Sequence, residues 1–138
     1  MACRQPTTTC PAGSVSVDSA AEWNDTGFDV MAGQTYRFTA EGTWCDWFIE
    51  TDADGFERWY MAPLRRGRRV KDAPWFRLIG TVDRGAAVVL GKRGEFVAPA
   101  SGRLYCYAND WPSARGNNQG RVCLRLTALA PGAAGQAP

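Results

Sequence analysis

The chain predicts an all-β fold: a single-domain antiparallel β-sandwich, small and jelly-roll-like. Three observations carry this expectation. Strand-length runs rich in Val, Ile, Leu, Tyr, Phe and Thr recur along the chain, several with alternating apolar positions. Clusters of Gly, Pro, Asp and Asn separate these runs at turn spacing. No segment sustains the period of an amphipathic helix. The length of 138 residues suits one domain with a real core, since about two-thirds of the unfolded surface is buried at this size.

The elements follow in order. Residues 1–12, with Pro6, Pro11 and three threonines, read as a flexible segment; 13–129 form the sandwich domain; 130–138, rich in Pro, Gly and Ala, form a flexible tail. Residues 14–17 are a short strand, followed by a polar connection over 18–27 from which Trp23 packs back on the core. Phe28, Asp29 and Val30 start the next strand edge, and Ala32, Gly33 and Gln34 turn the chain. Residues 35–40 are a strand with Tyr36 and Phe38 on one face, ended by Gly42. A long loop then runs over residues 43–72 with few strand signals. Loops of this length in a compact domain are usually functional or partly disordered. It holds Trp44, Trp47, Phe48, Phe56, Trp59 and Tyr60, most of which are expected to pack. Strands follow at 75–82, 86–90 and 95–98, separated by turns at 83–85, 91–94 and 99–102. Two last strands, 103–108 and 121–127, flank a polar loop; Val122, Leu124 and Leu126 share a face of the second.

Bulk composition excludes several classes. A net charge of +2 argues against a general polyanion partner. No apolar run is long enough for a transmembrane helix, and the N-terminus shows no intact signal peptide, so the compartment stays open. There is no histidine, which removes His-based triads and most zinc sites. The five cysteines, Cys3, Cys10, Cys45, Cys106 and Cys123, fit either a reducing compartment or one unpaired thiol. Cys106 and Cys123 lie on the strands flanking the polar loop, where a disulfide or two buried thiols are both open readings; Cys3 and Cys10 form a second candidate pair.

The polar loop, residues 109–120, carries the strongest chemistry. It is longer than a strand reversal needs, since hairpin loops take about 2–5 residues. It concentrates oxygens on Asp110, Ser113, Asn117, Asn118 and Gln119, with Gly116 and Gly120 freeing the backbone. Calcium is a hard cation that takes about 6–8 such oxygens. Adjacent Asn117 and Asn118 would face opposite ways in a regular strand, so convergence on one ion requires irregular backbone. A plain polar hairpin loop has the same composition.

The pattern Asn-Asp-x-Pro-x-x-x-Gly-Asn-Asn-x-Gly between two strands resembles the calcium and sugar loop of the PA-IL (LecA)-type galactophilic bacterial lectins. Residues 32–42, Leu78-Ile79-Gly80 and Phe96-Val97-Ala98-Pro99 resemble strands of that family, and the resemblance covers roughly residues 13–129. It implies a calcium ion held by the side chains of Asp110, Asn117 and Asn118 and by the carbonyls of Ala114 and Asp46, with Asp46 standing where the family has a tyrosine. It implies sugar contacts from Asp110, Asn117 and the Trp111 carbonyl. At the family's outer sugar contacts stand Tyr60, able to donate a hydrogen bond or stack, and Pro63, unable to donate, so specificity is open to change. Trp111 either stacks on an apolar sugar face or packs internally. The resemblance further implies a homo-oligomer, a tetramer or dimer.

Three other sets of residues concentrate charge. The basic run at residues 65–71 reads as a polyanion patch or a solvated loop, and beside a sugar site it would favour anionic glycans. Residues 50–55 resemble half of an EF-hand loop, but Met61 occupies the position of the bidentate Glu, which favours a polar turn. Glu41, Glu50 and Glu57 are carboxylates of the kind a glycosidase pairs, yet no hydrolase motif accompanies them. The expectation is therefore a non-enzymatic, calcium-dependent lectin for terminal galactose or a related hexose, with no specific nucleic-acid partner. The alternatives are a lectin-fold module with altered glycan specificity and a non-catalytic protein-interaction domain.

Overall fold

The structure, a computed structural model, describes residues 9–111, 116 and 118–129. Ten strands occur among them: β1 (Val15–Asp18), β2 (Asn24–Val30), β3 (Thr35–Glu41), β4 (Trp44–Asp46), β5 (Ile49–Thr51), β6 (Leu78–Val82), β7 (Ala87–Val89), β8 (Arg93–Val97), β9 (Gly102–Ala108) and β10 (Asn118–Ala128). They form two antiparallel sheets. One runs β5-β4-β10-β3-β8, with β1 on the other edge of β10; the second runs β2-β9-β6-β7. The expected all-β sandwich is the fold observed. Most strands fall where the sequence places them, but β2 begins at Asn24 inside the stretch read as a polar connection, β8 at Arg93 inside a turn and β10 at Asn118 inside the polar loop, because cross-strand pairing extends each beyond its apolar residues; nor does the long loop stay structureless. It contributes the β4–β5 hairpin and a 3-10 helix, Trp59–Gly67. The hairpin was hidden because its strands have only three residues each.

One register organises the larger sheet. β3 and β4 pair with β10 without slippage, from Tyr36 opposite Ala128 to Asp46 opposite Asn118. Gly42 separates the two strands at a φ of 103°, a left-handed value that a side chain would strain. Because side chains alternate along a strand, Tyr36, Phe38, Ala40, Trp44 and Asp46 all point to the same side. Across the ladder, Leu124, Val122 and Asn118 do likewise. All but the last polar pair enter the core, where they meet Leu78, Leu104, Cys106 and Ala108 from the smaller sheet. Each fully buried Leu or Val side chain contributes about 1.5–3 kcal/mol.

The same alternation decides the cysteines. Cys106 points into the core from β9 and is completely buried, a free thiol. Cys123 sits on the outward side of β10 and pairs with Cys10, 113 residues earlier. Both pairings considered from sequence, Cys106 with Cys123 and Cys3 with Cys10, are thereby corrected: the first two lie on different sheets and opposite faces. Cys45 is also disulfide-bonded; Cys3 lies outside the described residues.

Candidate functional site

Three polar side chains close one end of the core. Asp46 ends β4 and Asn118 begins β10, directly opposite each other, so their side chains lie on one face about 5 Å apart at Cβ. Asp110 comes from the facing sheet. It lies two residues beyond Ala108 in the same alternation that turns Leu104, Cys106 and Ala108 inward, and it is 4% exposed. Each sheet thus continues its inward pattern one step past the last apolar residue and places an oxygen there.

The amide of Asn118 is fixed by its surroundings. Its Nδ2 donates to the Ser19 carbonyl at 2.9 Å. Its Oδ1 is buried and accepts no hydrogen bond among the described residues. A buried acceptor without a donor costs about 1–3 kcal/mol. Asp110 Oδ1 accepts the Trp111 backbone N–H at 2.7 Å, and the Asp110 carbonyl accepts from Arg69 N–H at 3.1 Å. Burial, and then the nearby Asp110 charge, push the Asp46 carboxyl up to about 6. Two carboxylates and an amide oxygen therefore share a partly dry recess. Such hard oxygen donors suit calcium, and the unsatisfied Asn118 oxygen is what a cation would complete. Among the described residues, no group of three or more Asp, Glu, Cys or His side chains gathers to hold a metal, and the recess itself offers two carboxylates and one amide oxygen.

The recess opens into a cavity of about 400 Å³. Asp46 and Asp110 line its polar end; Trp47, Phe48, Tyr60, Leu64 and Trp111 line the remainder with other apolar neighbours. Trp111 is partly buried and its Nε1 donates to the Leu64 carbonyl at 2.7 Å, so the indole both lines the cavity and ties down the 3-10 helix. A Cβ at Gly67 would collide with that indole, which explains the glycine there.

The expected site residues distribute as follows. Asp46, Asp110 and Asn118 come together, and Tyr60 and Trp111 line the same cavity. Asp46 was expected to supply only a carbonyl, yet its carboxyl is also turned to the recess, raising the negative charge there. Pro63 lies exposed within the 3-10 helix and does not line the cavity. Ala114 and Asn117 lie outside the described residues. Trp47, Phe48 and Leu64 were missed as lining residues. The expectation that most loop aromatics pack is also corrected: Trp44 and Phe56 are buried, but Trp47, Phe48, Trp59 and Tyr60 are 63%, 49%, 88% and 53% exposed.

Asn109 has a separate duty. Completely buried on the opposite face of β9, it accepts from Val70 N–H and donates to the carbonyls of Val70, Ala73 and Pro74. This holds the chain leading into β6. Within the basic run, Arg68 and Arg69 are engaged by the fold. Arg68 is buried, paired with Glu57 at 3.0 Å and stacked on Trp75; Arg69 stacks 3.4 Å from the Tyr107 centroid and contacts Trp23. Trp23 does pack back on the smaller sheet, edge-on to Tyr107. The EF-hand-like stretch is a polar turn in which Asp54 accepts from Lys92 N–H and Asp52 pairs with the Lys92 ammonium.

No family model matches the sequence, and no curated protein does. Among solved structures, a match covering 84% of this chain and 95% of its own is the N-terminal domain of EclA, described as a PllA-like lectin. The TM-score is 0.64 at 20% identity, a likeness of fold.

Proposed function

We propose that the chain is a calcium-dependent carbohydrate-binding protein that takes terminal galactose or a related hexose and performs no chemistry on it. The observation that carries this is the buried Asn118 amide, whose Nδ2 donates to the Ser19 carbonyl and whose Oδ1 has no donor among the described residues, beside the carboxyls of Asp46 and Asp110. Those residues fit calcium: Asp110 and Asn118 would hold it by side chain, Asp46 by carboxylate or carbonyl, and Asn117 and Ala114 would complete the set from the adjoining loop. Bound there, calcium offers open coordination positions to sugar hydroxyls. Asp110 and Asn117 would accept hydrogen bonds from those hydroxyls, the Trp111 carbonyl would accept another, and Tyr60 would contact the ring from the 3-10 helix. Pro63 stands away from the cavity, so the outer contact differs from that of the lectins this loop resembles. The lectin described for the fold neighbour agrees with the reading.

Single-site sugar binding is weak, and multivalency offsets it; a homo-oligomer, tetramer or dimer, is part of the proposal and is read by light scattering. The deciding experiment is calorimetry with methyl galactoside in calcium and again in chelator. Binding should vanish in chelator and in Asp110→Ala. Sugar binding that survives either treatment refutes the reading.

A further inference from the structure

A second cleft, of about 470 Å³, lies on the outer face of the larger sheet. Alternation lays its floor. Arg121, Cys123 and Arg125 on β10 and Thr39 and Glu41 on β3 face away from the core that Val122, Leu124, Phe38 and Ala40 enter. Asn118 faces the recess from the other side of β10, so the cleft and the recess are separate. The outer wall is the segment leading into β1. Pro11 and Ser14 line it, and the Pro11 carbonyl accepts from both the N–H and the hydroxyl of Ser14, at 3.0 and 2.7 Å. The Cys10–Cys123 bond crosses from this wall to the floor.

Two cations flank this bond, each two positions along β10, about 7 Å away on the same face. Arg121 and Arg125 are exposed, and their side chains make no hydrogen bond or ion pair with any described residue. Arg37, on the same face, is already engaged by Glu95 at 2.8 Å. Asp18 stands opposite Arg121 in register but turns its carboxylate to the Ala20 N–H. The Arg125 guanidinium lies against Gly13, where a Cβ would come within 2.7 Å of it. Glu41, directly opposite Cys123, also lines the cleft, so the lining keeps a net positive charge. Thiol–disulfide exchange needs an accessible sulfur to attack and a stabilised thiolate to leave. The two sulfurs divide these roles. Cys10 is half-buried, whereas Cys123 is buried and stands between the arginines. Nearby cations stabilise a thiolate, so Cys123 is the better leaving group. The same cations attract an incoming thiol that carries negative charge.

We propose that this cleft is a thiol-exchange site, at which a low-molecular-weight, carboxylate-bearing thiol opens the Cys10–Cys123 bond. The incoming thiolate attacks Cys10 Sγ, forms a mixed disulfide there and expels Cys123 as a thiolate. A second thiolate attacks the bound thiol's sulfur, releasing the Cys10 thiolate and the oxidised dimer of the thiol. Two thiols are thus oxidised, the protein disulfide takes up their two electrons, and the two protons pass to the cysteines. Opening the bond frees residue 10 from β10 and leaves the pairing of β1 with β10, Val15–Asp18, in place. The inference does not depend on the sugar reading.

The test opens the bond in the whole chain with mercaptopropionate, mercaptoethanol and cysteamine, small thiols bearing a negative, no and a positive charge. Rates per thiolate are read by acid quenching and mass-spectrometric mapping of the Cys10 and Cys123 peptides. A unit charge about 7 Å from another in water changes its local concentration by about threefold. The ratio of the mercaptopropionate rate to the mercaptoethanol rate should therefore fall about threefold in Arg121→Gln or Arg125→Gln and roughly sevenfold in the double variant. The cysteamine ratio should rise by the same factors, and Arg125→Lys, which keeps the charge, should hold both ratios. Weaker stabilisation of the Cys123 thiolate slows all three thiols alike and cancels in the ratios. These arginines are exposed, so the variants should melt with wild type. The first adduct should sit on Cys10. Ratios unchanged in the double variant, equal slowing of all three thiols, or a first adduct on Cys123 would each overturn the proposal.

Discussion

Asp46→Asn is the perturbation that probes the recess most directly. In wild type, burial and the Asp110 charge raise the Asp46 carboxyl from 3.8 to about 6. A raised carboxyl means that folding favours the protonated form. Its stabilising contribution is complete below the unfolded value of 3.8 and is lost as pH rises through about 6. At about 1.4 kcal/mol per pH unit, that interval is worth about 3 kcal/mol. Asp46 is only partly buried, so solvent screening reduces it to about 2–3 kcal/mol. The ion-free protein at pH 7.5 therefore carries this cost, and the neutral amide does not. Asp46→Asn should match wild type at pH 3.5 and exceed it by about 2–3 kcal/mol at pH 7.5, or about 6–10 °C in melting temperature for a domain of this size. The assay is thermal or urea denaturation in chelator at the two pH values, taking the difference between variant and wild type so that other titrating groups cancel. Excess calcium should then raise the wild-type midpoint more than that of the variant. A variant no more stable than wild type at pH 7.5, or equally stabilised at both pH values, refutes the claim that two carboxylates crowd this recess.

Three further outcomes follow from the packing. Cys10→Ser removes a crosslink spanning 113 residues and should lower stability by about 2–5 kcal/mol, with dithiothreitol having little further effect at that bond in the variant; denaturation with and without reductant measures it. Cys106, whose thiol burial pushes far up, should resist alkylation in the native state and react once the chain is unfolded, as mass spectrometry would read; rapid native labelling would contradict its place in the core. Arg68→Ala should cost about 1–3 kcal/mol, because the hydrogen bonds of the buried guanidinium to the half-exposed Glu57 are lost and Trp75 loses its covering cation, and hydrogen exchange should rise over the 3-10 helix; unchanged exchange there would show that Arg68 does not anchor it.

Much of this was legible in the chain itself. Alternation marked β3 and β10, β-forming residues marked β9, and turn residues marked most of the boundaries between strands. The oxygen-rich stretch after β9 drew notice to Asp110 and Asn118 because polar residues crowd a connection longer than a turn needs. Local pattern could go no further at Asp46. Its role depends on an unbroken pairing from Tyr36 to Asp46 across Gly42, and on the opposite sheet delivering Asp110 to the same end of the core. The exposed aromatics were equally beyond reach, since composition says that tryptophans tend to be covered, while only the placement of a three-residue-stranded hairpin and a 3-10 helix leaves four aromatic rings in solvent.

The cysteines show the same division. Sequence placed Cys106 and Cys123 on neighbouring strands in the chain; the sheets put one inside and the other outside, and a bond cannot pass through a packed core. By itself the sequence determined a β-sandwich and where its polar loop lies, because those follow from side-chain periodicity along a strand. Tertiary structure alone decided which oxygens meet, which thiols join and which rings face water, because each of these depends on register between segments far apart in the chain.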